Sequence, residues 1–206
     1  DFKPDVVFHV AALKHVTPAE YSPLEYIQTN VIGTYNVLHC AKRYGVKKFV
    51  YISTDKVING SSIMGITKKL GEVMVKNSGK GYMAVRFGNV LNSRGSLIPI
   101  WQAQIDRGEA LTITDERMER YFMTISDACR LVIKASEIGK GGEIFVMDMG
   151  KKIKIIDLAK KIIEDSRKNI PIKVIGIRQG ETLSEGLMTE EELKKAKKIV
   201  DFYVII

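Results

Sequence analysis

Two polar clusters in this 206-residue chain occupy positions where chemistry could be done. The first is Ser53-Thr54-Asp55-Lys56, which follows the apolar run at 48–52. A hydroxyl, a carboxyl and an amine in consecutive positions offer a hydrogen-bond donor, an acid and a base side by side. The second is Ala11-Ala12-Leu13-Lys14-His15, after the apolar run at 6–10. Residue types alone leave the reading open, because Ser, Thr and Asp also build helix caps and Asx-type turns. Met64 and Lys68 lie four apart at the start of a predicted helix and share a face. A core methionine beside a surface lysine would give the same pattern. His9, His15 and His39 show no ligand spacing and have no carboxylate cluster beside them, so no metal site is expected.

These clusters matter because of the elements that carry them. The runs at 6–10, 48–53 and 82–87 read as strands buried on both faces, and helical patterns fill the intervals. Ser22-Pro23 reads as a capped helix start, with Leu24, Ile27, Val31, Leu38 and Ala41 on one side and Gly45 as the stop. A second helix is predicted over 62–77. Strand–helix–strand with crossovers of this length means an α/β fold with a parallel sheet covered on both faces. Its ligand sites are the loops at the C-terminal ends of the strands, where both polar clusters fall. Beyond residue 87 the pattern predicts helices near 97–107, 124–137, 155–165 and 190–198, with strands at 143–147 and 172–177. The division expected is a Rossmann-like domain from 1–92 plus 125–149 and a smaller lobe from 93–124 plus 150–206.

Composition narrows the classes further. With 45% hydrophobic and 27% charged residues, 17 Gly and 5 Pro, the chain is neither disordered nor low-complexity. No apolar run approaches the roughly 18–20 residues of a membrane span. Asp1 to Val7 alternates charged and apolar residues, unlike a secretory leader. Cys40 and Cys129 lie far apart on predicted helices, which suits a reduced, cytoplasmic setting better than a disulfide framework. A net charge of +8 fits an anionic partner. No arginine stripe interleaves with aromatics, however, and the lysines sit largely in mixed helical runs, so nucleic acid is not the expected partner.

The blocks Val10-Ala11-Ala12, Thr29 to Thr34, Tyr51 to Lys56 and Arg86 to Val90 resemble the extended short-chain dehydrogenase/reductases. More narrowly, AALKHV, STDK, MGITKK, RFGNVL, SRGSLIP, RYFMT, GGEIFVMDMG and RQGETLSE resemble the nucleotide-sugar 4,6-dehydratases of polysaccharide biosynthesis. The resemblance runs almost from end to end. It implies a doubly wound Rossmann-like fold, NAD as cofactor, UDP-N-acetylglucosamine as substrate, a homo-oligomer, and a cytoplasmic enzyme whose membrane attachment, where there is one, lies outside this chain. The superfamily's Tyr-x-x-x-Lys is here Met64-Gly65-Ile66-Thr67-Lys68, as in the configuration-retaining branch, whereas 198–206 look more like the inverting branch. The Gly-x-x-Gly-x-x-Gly turn that holds the cofactor pyrophosphate is absent, which implies a piece of a longer enzyme.

The same resemblance assigns roles residue by residue. Lys56 would remove the C5 proton, Asp55 would protonate the departing C6 hydroxyl, and Thr54 would bond the C4 hydroxyl in place of the tyrosine whose position Met64 fills. Lys68 would hold the nicotinamide ribose, with Ala11, Ala12, Lys14, Asn30 and Ser53 also against the cofactor. Lys14, Asn89, Arg94, Arg120, Arg178 and Glu181 would hold the UDP-sugar. An inverting dehydratase, an epimerase on the same scaffold, or a UDP-sugar-binding module without catalysis are the alternative readings.

Overall fold

Apolar runs of four or five residues can be buried on both faces only between layers, and the fold follows from that constraint. The computed structural model describes residues 2–199 and 201–206. Chain order runs from β1 (Val6–His9) through α1 (Val16–Tyr21) and α2 (Pro23–Tyr26) into a π-helical stretch at Ile27–Ile32 and then α3 (Gly33–Arg43). Next come β2 (Lys48–Ile52), a 3₁₀ turn at Asp55–Val57, α4 (Ile63–Lys76) and β3 (Tyr82–Arg86). The middle supplies β4 (Asn89–Val90), α5 (Leu97–Asp106), β5 (Leu111–Ile113), β6 (Glu119–Arg120), β7 (Phe122–Met123) and α6 (Ile125–Ile138). The remainder is β8 (Ile144–Met147), β9 (Ile153–Lys154), α7 (Ile155–Ser166), β10 (Ile172–Val174), α8 (Glu190–Lys195), β11 (Lys197–Ile199) and β12 (Phe202–Ile205).

The large sheet has the order β1-β2-β3-β8-β12-β11, parallel through β8 and antiparallel thereafter. Alternation sorts its side chains cleanly. Phe49, Tyr51, Ala84, Ile144 and Val146 face α3 and α4, meeting Leu38, Ala41 and Val75. Val50, Met83, Val85 and Phe145 face α6, meeting Leu131 and Ala135. The sheet is therefore covered on both sides, in the α/β Rossmann-like arrangement expected. A separate cluster of Trp101, Ile105, Leu111, Ile113, Met118, Ile155 and Ala159 gathers where β5 pairs with β10, within the span expected of a smaller lobe.

Several expectations are corrected. β1 is the edge of the described sheet, and Val6 and Phe8 are exposed rather than buried on both faces. The helix from Ser22 is not one regular α-helix: Ser22 makes no side-chain cap, and the π-helical stretch adds a residue to the turn. Counting every 3.6 residues through that stretch fails, so Leu24 and Ile27 point to solvent while Leu38 and Ala41 are buried. The charged helix ends at Lys195, and Lys197 to Ile199 instead pair with β12. β12 in turn pairs with β8, which puts the C-terminal hairpin in the large sheet rather than in the smaller lobe. The last strand of the lobe stops at Val174.

One buried ion network ties this topology together. Arg86 ends β3 with its side chain fully buried, and its guanidinium grips the Glu72 carboxylate of α4 with bonds of 2.9 and 2.8 Å. The same guanidinium donates to both oxygens of Glu192 at 2.8 and 3.0 Å and to the Leu187 carbonyl at 3.0 Å. Burial alone would raise the Glu192 carboxyl; the hydrogen bonds and charge of Arg86 outweigh it and hold the group down at about 2. Replacing Arg86 with Met would leave buried Glu72 with only the half-exposed Lys69, 3.3 Å from its Oε2, at a cost of about 3 kcal/mol in urea unfolding. Because Glu192 is depressed in the fold, its contribution is complete above its ordinary value of 4.5 and is lost as pH falls toward about 2. Denaturation midpoints measured across that window should fall for the native protein and flatten for Glu192→Gln.

Candidate active site

The site begins where β2 and β3 stop being strands but keep their ladder. Ser53 N donates to Val85 O at 2.7 Å and Asp55 N to Phe87 O at 3.1 Å, so the chain beyond β2 stays fastened to the chain beyond β3. Thr54 then caps the 3₁₀ turn by accepting from the Lys56 amide. This fastening carries Asp55 out of water altogether (0% exposed). A buried carboxylate must be paired, and the adjacent residues do this. Thr54 Oγ1 and Lys56 Nζ each donate to Asp55 Oδ1 at 2.9 Å. Lys56 Nζ also donates to Asn89 Oδ1 at 3.2 Å, which brings in β4 from the other side. Asp55 Oδ2 and Ser53 Oγ, both buried, have no partner among the described residues.

Helix α4 comes close behind this turn. Ser62 caps it, accepting from Gly65 N at 3.1 Å, and Glu20 Oε1 accepts from Ile63 N at 2.8 Å. Gly65 lets the helix approach the Lys56 carbonyl so closely that any Cβ there would collide with it. Met64 is buried against Ala19 and Tyr26, where it packs. Lys68, one turn on, is 6% exposed and lies with its ammonium 4.1 Å from the centre of the Tyr51 ring. Burial pushes Lys68 down to about 8, partly opposed by the negative charge of Glu72. His9 is also lowered, first by burial and then by Lys68, so it is the neutral ring that bonds Thr34 at 3.0 Å.

The remaining residues separate into those that meet and those that do not. Asn30 is buried and fully used: it brackets Leu13 through the backbone N–H (2.8 Å) and carbonyl (2.9 Å) and reaches Thr67 Oγ1 at 3.1 Å. It thus fixes the shape of the loop bearing Ala11, Ala12 and Lys14 instead of pointing free into a cleft. Lys14 Nζ bridges to Ser93 Oγ at 3.2 Å, next to the exposed Arg94, which makes no hydrogen bond among the described residues. Arg120 is buried with its guanidinium on the carbonyls of Glu119, Thr182 and Leu183, so it shapes the 178–186 loop. Arg178 and Glu181 pair with each other at 3.4 Å on that loop. The loop reaches the chain just beyond the Asp55–Val57 turn through Asn59, which donates to Glu185 Oε2 at 3.2 Å, while Gly180 abuts Glu20. Glu20, Tyr51 and Asn59 were not legible as site residues; they sit in ordinary helix, strand and turn patterns and acquire roles only through tertiary contact. Among the described residues no group of three or more His, Cys, Asp or Glu could hold a metal, and no helix is long and apolar enough to cross a membrane.

The family model for polysaccharide biosynthesis proteins matches residues 1–206, the whole chain. The chain belongs to the polysaccharide biosynthesis protein family. Among curated relatives, it is 50% identical over 201 residues to the capsular polysaccharide biosynthesis protein CapD of Staphylococcus aureus, covering 94% of this chain and 34% of that protein. It is 41% identical over 208 residues to a UDP-glucose 4-epimerase of Rickettsia rickettsii, covering 97% of this chain and 60% of that one. The chain thus spans about a third to three fifths of the length of these relatives. The X-ray structure of Pen from Bacillus thuringiensis matches with a TM-score of 0.94 at 40% identity, over 98% of this chain and 65% of that one. DesIV, a dTDP-glucose 4,6-dehydratase of Streptomyces venezuelae with NAD bound, matches at 0.81 and 22% identity, over 93% of this chain and 66% of that one, a likeness of fold alone. This chain thus shares its sheet with Pen and with DesIV.

The closeness of α4 to the Asp55–Val57 turn gives a direct test. Gly65→Ala must push the Lys56 carbonyl away, and the expected loss is about 2 kcal/mol, read as a Tm lower by several degrees. An unchanged Tm would show that the turn yields freely.

Proposed function

We propose that this chain carries the catalytic half of an NAD-dependent UDP-N-acetylglucosamine 4,6-dehydratase. The observation that carries the reading is the Thr54–Asp55–Lys56 cluster: an acid buried with one oxygen free, bonded directly to an amine. The unpartnered Ser53 Oγ and the buried Lys68 fit the nicotinamide half of the cofactor, with Lys68 as the donor to its ribose. Bound NAD⁺ would supply the temporary acceptance of hydride from sugar C4 and its return at C6.

The chain's own residues account for the water loss. As found, the pair is a Lys56 ammonium and an Asp55 carboxylate joined at 2.9 Å. Passing the shared proton along that bond gives a neutral amine and a neutral carboxylic acid. Lys56 can then take the proton from C5, which the neighbouring C4 ketone acidifies. Asp55 gives its proton to the C6 hydroxyl, which departs as water. These two steps leave an ammonium and a carboxylate. When hydride comes back to C6, the Lys56 ammonium would give a proton to C5, and the proton released from the C4 hydroxyl on oxidation, passed by way of Thr54, would restore the ammonium. Thr54 lies beside both groups and supplies a hydroxyl where the phenol is missing.

The epimerase reading draws on the names of the Rickettsia relatives. Met64 argues against it, since a thioether can neither give nor take the C4 proton. Incubation with UDP-N-acetylglucosamine and NAD⁺ in deuterated water, followed by mass spectrometry and NMR, decides between them. A product lighter by one water, with solvent deuterium at C5, is expected; inversion at C4 without water loss would establish the epimerase. Lys56→Ala should slow water loss by about a hundred- to ten-thousand-fold while leaving UDP binding intact. Turnover close to the parent rate would remove Lys56 from the mechanism.

A further inference from the structure

Lys68 presents an electrostatic problem that its neighbours do not solve in the usual way. A lysine that is nine-tenths buried as a residue ordinarily has a carboxylate or several hydrogen-bond acceptors at its ammonium. Among the described residues Lys68 Nζ has no hydrogen-bond acceptor. The carboxylate whose charge it feels, Glu72 on the same helix, is held by Arg86 through two bonds of 2.9 and 2.8 Å. His9 on β1, lowered by burial and by Lys68 and bonded to Thr34, supplies no counter-charge. What does lie against it is the Tyr51 ring, 4.1 Å from Nζ, within the range where the negative face of an aromatic ring attracts a cation.

The ring is held firmly in that place. Tyr51 is fully buried on the α3/α4 face of β2, its hydroxyl donates to the Lys68 carbonyl at 3.4 Å, and the His9 ring lies 5.7 Å away. Gly71, one turn beyond Lys68, leaves the space the phenol occupies, for any Cβ there would run into the Tyr51 hydroxyl. Strand and helix are thus fitted around this one aromatic side chain.

We propose that Tyr51 is the positioning residue of Lys68: its π-face takes the place of a counter-anion, seating the ammonium while leaving its N–H donors free for a ligand. A carboxylate would have held those donors itself. Only the use made of the free donors rests on the dehydratase reading; the pairing of ring and ammonium does not.

The test follows the Lys68 ¹⁵Nζ resonance through the alkaline range in the chain without substrate, the signal assigned by its loss in Lys68→Arg. Tyr51→Phe keeps the ring and should titrate with the native protein. Tyr51→Leu removes it, and the Lys68 midpoint should fall by about one unit, roughly tenfold in proton affinity. Since leucine also alters packing, phenylalanines carrying successively more fluorine at position 51 keep the shape while draining the ring face. The midpoint should fall stepwise along that series. A midpoint unmoved by leucine or by fluorination overturns the proposal. Because no turnover is measured, failure of the dehydratase reading would leave this result unaffected.

Discussion

The site depends on a ladder that outlasts its strands. The bonds from Ser53 to Val85 and from Asp55 to Phe87 keep two crossover loops in register past the point where the sheet formally ends. Without them, a stretch as polar as Ser-Thr-Asp-Lys would lie in solvent and its charges would be screened. With them, a carboxylate is drawn into the interior, and its ammonium neighbour on the same turn must follow. The buried Asp55–Lys56 pair is therefore a product of backbone pairing first and of side-chain chemistry second.

Helix α4 serves this arrangement through absence of side chain. Gly65 and Gly71 fall on the face that meets β2 and its loop, six residues apart along the helix. One admits the carbonyl of Lys56 and the other the phenol of Tyr51. Glycine inside a helix is destabilising relative to alanine by roughly 0.5–1 kcal/mol, so two of them in fourteen residues call for an explanation. Close backbone approach provides it. At its far end, the same helix contributes Glu72 to the buried grip on Arg86, which in turn fastens α8.

Much of this was readable in the chain. The parallel core strands follow from short apolar runs at crossover distances, and Ser62, Thr124 and Gly45 mark helix ends as their chemistry dictates. The cluster at Ser53 to Lys56 was legible as acid beside base because the three types are adjacent in sequence. The missed features share one cause, in that local pattern and tertiary use diverge. Lys197 and Lys198 continue a charged helical run, yet they pair as strand because Phe202 and Val204 beside them have a sheet edge to fill. Arg120 has the type expected of a phosphate donor, yet backbone carbonyls that no sequence pattern announces surround its guanidinium. Tyr51 reads as one more core aromatic until the helix above it is in place.

The π-helical stretch at Ile27–Ile32 has a consequence for how this chain can tolerate changes of length. A π-turn is a helix with one residue more than its α equivalent, and here that residue rotates everything before it relative to α3. Asn30, which brackets the loop after β1 on both its N–H and its carbonyl, lies inside that turn. Removing a single residue from it would restore a regular helix and tidy the hydrophobic stripe of Leu24, Ile27 and Val31. The same deletion would swing the amide of Asn30 away from Leu13. At this one place, a shorter and more regular chain would be the defective one.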